Sequence, residues 1–296
     1  MTAMLDRLER IEELRQAGLA KVRENDVEGA IALYDAALAM AEDGDARELI
    51  TINKANAMIM IERGGPEVSE LPRIVMRRRN ARHVYLAAYA LQYKHRLEND
   101  LKRAIFYAEL AVRTAEEAGE PVWRRVVLYE LGNSYLSDSK IERAAECFEG
   151  ALTITDESAA NRDRALAHGL ALDGLGYCKM VMGEVQEGLD LLHESLNILQ
   201  DPMSRAEVYV DLCYGYLELS DFANAQRYGE AALEISDDKR QIRNAHYLLG
   251  EVAHTAGDEE KTEYHFSELA RFYPEFKNLK SVLYAIDLRA MVNLKL

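Results

Sequence analysis

Chain breakers are scarce in this sequence, with five prolines and 17 glycines among 296 residues. Runs of alternating β-branched residues bounded by turns are missing as well, which excludes sheets. Apolar residues instead recur at intervals of three and four, the period of amphipathic helices. Cysteine is equally sparse: Cys147, Cys178 and Cys213 sit inside apolar helical patterns, the usage of buried thiols in a reducing compartment and not of a disulfide framework. No apolar run reaches 18 residues, and the opening MTAMLDRLERIEELRQ alternates charge with Leu and Ile. Neither a membrane span nor a secretory leader is expected, and the expected location is cytoplasmic.

Basic charge is in deficit, 36 Lys and Arg against 51 Asp and Glu, for a formal charge of −15. That average field repels a phosphate backbone, so direct nucleic-acid binding is not expected. Catalytic motifs are missing too. The stretch HESLN from His193 places Asn197 where a zinc-protease helix needs its second His. GLGYCK lacks the glycine spacing of a nucleotide loop, and no G-x-S-x-G occurs. His246 and His254, two helical turns apart, have no carboxylate or third ligand beside them in the pattern. A non-enzymatic protein without metal or cofactor is expected.

What the sequence does hold is a repeat. The stretch LGNSYLSDSKIERAAECFEGAL, residues 131–152, has counterparts along the whole chain. Small residues mark the grid: Gly18, Ala55, Gly132, Gly176, Cys213 and Gly250, with Gln92 fitting less comfortably. These seven positions are separated by 37, 37, 40, 44, 37 and 37 residues. Twelve residues after all but the second stand Ala30, Ala104, Ala144, Gly188, Ala225 and Thr262, and seven further on Ala37, Ala111, Ala151, Ser195, Ala232 and Leu269. Small residues at such crossings let the two helices of a hairpin approach closely.

The grid resembles that of the tetratricopeptide repeat family over nearly the whole chain. Leu128, Leu131, Gly132, Tyr135, Ala144, Phe148 and Ala151 match the family pattern most fully, and Leu249, Gly250, Gly257, Phe266 and Pro274 match it in the last repeat. The period exceeds the family's usual length of about 34, and in this it resembles the sensor halves of bacterial peptide-responsive regulators. The resemblance implies an all-α fold: an α-solenoid, a right-handed superhelix of about seven helix-turn-helix repeats in one domain, 1–296. The repeats are expected at 11–44, 48–80, 85–118, 125–158, 169–202, 206–239 and 243–276, followed by a capping helix over 278–296. Repeat two is the least regular, because Gly64, Gly65, Pro66 and Pro72 interrupt it and shorten its second helix.

In that family the first helices of the repeats line a groove. Carried over by offset from the landmark residues, the groove positions are Asn53 and Asn56; Tyr89 and Tyr93; Tyr129, Glu130 and Asn133; Asp173 and Tyr177; Val210, Asp211 and Tyr214; and Asn244, Tyr247 and Glu251. Tyrosines give large contact area at small entropic cost, and the flanking acids favour a basic partner. The family's clamp for a C-terminal carboxylate is mostly missing, since Arg15, Leu19, Leu86 and Ala90 occupy its places beside Asn53.

Two further surfaces stand out. Arg73, Arg77, Arg78, Arg79 and Arg82 fall within ten residues; they suit an acidic partner or a phosphate, or else form a solvated face that balances nearby acids. In the expected capping helix, Leu279, Val282, Leu283 and Ile286 form one apolar face and Tyr284, Leu288 and Met291 a second, a surface for homodimer formation or for a partner chain. The functional expectation is a scaffold or adaptor that binds a peptide segment or helix of another protein. The alternatives are a regulatory sensor acting through a partner and a structural subunit associating through the apolar final helix.

Overall fold

The structure is a computed structural model that describes residues 2–42, 44–154, 161–286, 288 and 293–295. It divides into two compact units, Met1–Val127 and Leu128–Leu296, where the sequence suggested one domain. The division falls inside a helix. All regular structure among the described residues is helical, and no described helix is long and apolar enough to cross a membrane.

Unit 1 contains α1 (Thr2–Arg23), α2 (Val27–Met40), α3 (Asp45–Met60), α4 (Pro66–Arg77), α5 (Ala81–Leu97), α6 (Leu101–Ala118) and the start of α7 (Pro121–Ser137). Its core is built around Tyr34, Ile50, Leu71 and Ile74, all fully buried. Unit 2 contains the rest of α7, α8 (Ile141–Leu152), α9 (Asn161–Val181), α10 (Val185–Ile198), α11 (Pro202–Glu218), α12 (Phe222–Ile235), α13 (Lys239–Ala256), α14 (Glu259–Ala270) and α15 (Leu279–Ala285). Phe148 and Phe266, with Leu136, Leu189, Leu192, Leu199, Leu212 and Leu217, are its largest fully buried side chains. All three cysteines are free and buried, and burial pushes the Cys178 thiol up to about 12.

Helices α1 to α14 pair as seven hairpins. One turn recurs in them. The residue before the second helix's N-cap is left-handed at Asn25, Asn99, Ser139, Gly183, Ser220 and Gly257, the conformation that ends a helix with its last carbonyls satisfied. The N-cap residue then donates its N–H back to the first helix, as Asp100 does to His95 (2.8 Å) and Asp221 to Tyr216 (2.9 Å). In hairpins one, three, six and seven that residue is Asp26, Asp100, Asp221 or Asp258, whose side chain accepts the N–H three residues on.

In hairpins one, four, five, six and seven the landmark faces the residue 16 positions later. A Cβ on Gly132 would lie 2.6 Å from the Phe148 ring, and one on Gly176 would lie 3.0 Å from Leu192. Gly18 and Gly250 likewise sit under the Tyr34 and Phe266 rings. Hairpin two differs in its turn: α4 starts at Pro66 and contains Pro72, but its 12 residues equal those of α8 and α14, so its second helix is not shortened as the sequence suggested. The final helix is a correction. Instead of 278–296, α15 covers Leu279–Ala285, and Ile286 is already extended.

Candidate functional site

The first helices of the last four hairpins, α7, α9, α11 and α13, share one face of unit 2. Residues 293–295 of the same chain lie across it. Asn293 donates its side-chain amide to the Leu136 carbonyl on α7 (2.8 Å). Leu294 is buried, and both of its backbone groups are bonded by side chains. Its N–H donates to the Tyr177 hydroxyl on α9 (3.3 Å), while its carbonyl accepts from Asn244 (2.6 Å) and Arg240 (3.1 Å) on α13. The segment is held as a docked peptide would be, by side chains bonding its main chain.

Lys295 follows into an acidic socket. Its Nζ lies 2.6 Å from Asp211, 2.7 Å from Glu207 and 3.7 Å from Asp173, and 5.0 Å from the centre of the Tyr177 ring. Arg240 completes the network with two bonds to Glu207, of 3.0 and 2.7 Å, and Gln241 donates to the same carboxylate. Asp211 is fully buried and Asp173 is 6% exposed.

Burial dominates the titration of this cluster. It raises the Asp211 carboxyl well above its ordinary value against the pull of Lys295, and raises that of Asp173 to about 6. Glu207 would also be raised by burial, but Lys295 and Arg240 outweigh that and hold it well below the usual range. For Lys295 burial favours the neutral amine; the three carboxylates outweigh it and keep the ammonium charged. Burial also pushes up the phenols of Tyr177 and of Tyr129, the latter to about 12, so both remain protonated hydrogen-bonding groups.

No family model matches the chain, and neither does any curated protein sequence. Solved structures do. The chain is similar to the apo form of the quorum sensor NprR from B. thuringiensis, with a TM-score of 0.74 and 13% identity over 98% of this chain and 83% of that one. It is similar to a Rap protein solved in complex with competence and sporulation factor, with a TM-score of 0.66 and 14% identity over 95% and 79%. A tetratricopeptide repeat protein from Parabacteroides merdae matches with a TM-score of 0.55 and 14% identity over 96% and 100%. The fold is a tetratricopeptide-repeat solenoid.

On this solenoid the groove positions read from the sequence separate into two sets. Tyr129, Glu130 and Asn133 on α7, Asp173 and Tyr177 on α9, Asp211 and Tyr214 on α11, and Asn244, Tyr247 and Glu251 on α13 belong to unit 2. Within that set the Tyr177 and Tyr214 rings lie 6.2 Å apart, the Tyr129 hydroxyl is hydrogen-bonded to Asn133, and Tyr247 and Glu251 are buried. The other set, Asn53 and Asn56 on α3 with Tyr89 and Tyr93 on α5, lies in unit 1. There Tyr89 stacks on Tyr85 and Tyr85 on Trp123, and Arg96 lies over the Tyr93 ring. Sequence reasoning missed Glu207, Arg240 and Lys295 as site residues. Glu207 had a signal: the offset of six before the landmark that selects Asn244 from Gly250 also selects Glu207 from Cys213.

The remaining candidates disperse. Arg73, Arg77, Arg78, Arg79 and Arg82 are exposed on unit 1; Arg73 and Arg77 share Glu70, and Arg78 pairs with Glu117. Tyr284 packs edge-on against Phe266 and His254 and donates to Glu263. Leu288 lines a cavity of about 270 Å³ together with Tyr247, Leu269, Leu283 and Asn293. Met291 lies outside the described residues. His246 pairs with His265, their Nδ1 atoms 3.0 Å apart, and not with His254.

Proposed function

We propose that this chain is a non-catalytic interaction scaffold whose unit 2 face, formed by α7, α9, α11 and α13, binds an extended peptide segment of a partner protein. One observation carries the reading: residues 293–295 lie on that face with their main chain bonded by Tyr177, Asn244 and Arg240. Main-chain bonds supply affinity independent of sequence and side-chain subsites supply specificity. The acids of the face favour a basic segment.

A regulatory sensor acting through a partner is the second reading. It is favoured by the likeness to the quorum sensor NprR and to the Rap protein in complex with competence and sporulation factor. In both readings the same face receives the ligand.

The test is selection from a random peptide library on the wild-type chain, followed by affinity measurement on Asn244→Ala and Tyr177→Phe. Selected peptides are expected to lose at least tenfold in affinity on the variants while thermal melts show them folded. Peptides indifferent to both substitutions, or no selected peptides at all, would contradict the reading.

A further inference from the structure

Three carboxylates meet between α9 and α11, and one of the two cations near them, Arg240, is committed to Glu207 by two bonds. Asp173 and Asp211 therefore need a cation from elsewhere, because buried carboxylates without one are strongly disfavoured. The position facing them suits an ammonium. A compact charge at one point reaches all three carboxylates, and the face of the Tyr177 ring lies beside it.

The residues ahead of the lysine are read as well. Leu294 is buried and its main chain is bonded on both sides. Asn293 uses both ends of its amide: Nδ2 donates to the Leu136 carbonyl, and Oδ1 accepts the Lys295 N–H at 2.9 Å. The second bond folds the segment so that the lysine turns into the socket.

The resident segment does not satisfy the site. Oδ1 of Asp173 and Oδ1 of Asp211 have no hydrogen-bond partner among the described residues, and both side chains are more than nine-tenths buried. An unmet buried acceptor carries its full desolvation penalty. A ligand offering further donors to these two oxygens gains what residues 293–295 leave unused, and so competes with a segment that enjoys the effective concentration of its own chain.

We propose that Asp173, Glu207 and Asp211 form a lysine-reading subsite for a peptide carrying an amide residue, an apolar residue and a lysine in succession, and that residues 293–295 occupy this subsite as a resident competitor. The proposal rests on the peptide-binding reading of this face and adds the chemistry of the ligand and the occupant it displaces.

The test uses the full chain as wild type, Lys295→Glu and Lys295→Met. The probes are the fluorescein-labelled peptide Met-Val-Asn-Leu-Lys-Leu and its Nε-acetyl-lysine counterpart, followed by anisotropy. Both variants are expected to bind the lysine peptide at least tenfold more tightly than the wild type and at least tenfold more tightly than the acetylated peptide. Adding Asp211→Asn to Lys295→Met is expected to erase most of that preference, with circular dichroism melts showing which variants are folded. If even one Lys295 variant is folded, the comparison between the two peptides decides.

Equal binding of the two peptides, abolished by Asn244→Ala, overturns the lysine subsite and leaves the peptide-binding reading intact. A lysine preference with no gain over the wild type overturns the resident competitor. No binding of either peptide overturns the proposal, and the library selection then decides whether the broader reading falls with it.

Discussion

At Asp173 two effects oppose each other. Burial raises its carboxyl, Lys295 pulls it back, and the balance stands at about 6. The groups that share its surroundings are Tyr129 and Glu130 on α7, Tyr177 and Cys178 on α9, Glu207 and Asp211 on α11, Arg240 on α13, and Lys295. Because the ammonium lowers this pKa, linkage requires that lysine bind more tightly when Asp173 is ionised. Affinity of the labelled lysine peptide for Lys295→Met should therefore rise with pH through about 6 and above, by up to about tenfold per pH unit for one proton. Anisotropy titrations between pH 5 and 8 check this; affinity that falls with rising pH would contradict it. Asp173, Asp211, Tyr177 and Asn244 were read from the sequence because each stands at a fixed offset from a landmark; Glu207 stands at such an offset too and was missed, as was Arg240. Lys295 was not, since it lies beyond the repeats and is brought to the socket only by the tertiary path of the chain.

Between elements, the fit of each hairpin follows from its landmark and the residue 16 positions on. Where the landmark is Gly, that residue is large: Tyr34, Phe148, Leu192 and Phe266. Where the landmark is Cys213 or Gln92, the residue 16 positions on is Gly229 or Ala108, and all four are buried. Gln92 fits the repeat poorly, and neither amide atom of its side chain has a partner among the described residues. Helices α9 and α10 approach closely enough that a Cβ on Gly188 would lie 2.6 Å from the Gly176 carbonyl oxygen. Backbone cannot yield as a side chain can, so Gly188→Ala should destabilise unit 2 by about 1–3 kcal/mol. A urea titration followed by circular dichroism checks this, and an unchanged midpoint would contradict it. The final helix shows where periodicity misleads. Its apolar spacing continues past Ala285, but around Leu294 the main-chain groups are bonded by Tyr177, Asn244 and Arg240, and tertiary contacts override helix propensity.

For the whole molecule, the formal charge of −15 has the sign that the proposed basic segment requires. Association of the lysine peptide with Lys295→Met should accordingly slow by about tenfold between 20 and 200 mM salt, as exposed charges are screened. Stopped-flow anisotropy measures the rate, and salt-independent association would show that the field of the chain does not steer the encounter. The number of hairpins was legible because a 37- to 44-residue period survives in six small landmarks and Gln92. The division into two units was not, since the break falls inside α7 at Val127, where neither Pro nor Gly marks it.

The most direct measurement is photo-crosslinking of Met-Val-Asn-Leu-Lys-Leu, with benzoylphenylalanine in place of its first leucine, to the full-length Lys295→Met chain, followed by mass spectrometry of the digest. The predicted result is crosslinking to fragments containing Tyr177 on α9 and Asn244 on α13, suppressed by excess unlabelled peptide. Crosslinks on the arginines of residues 73–82, or spread over both units without competition, would contradict a peptide groove on unit 2.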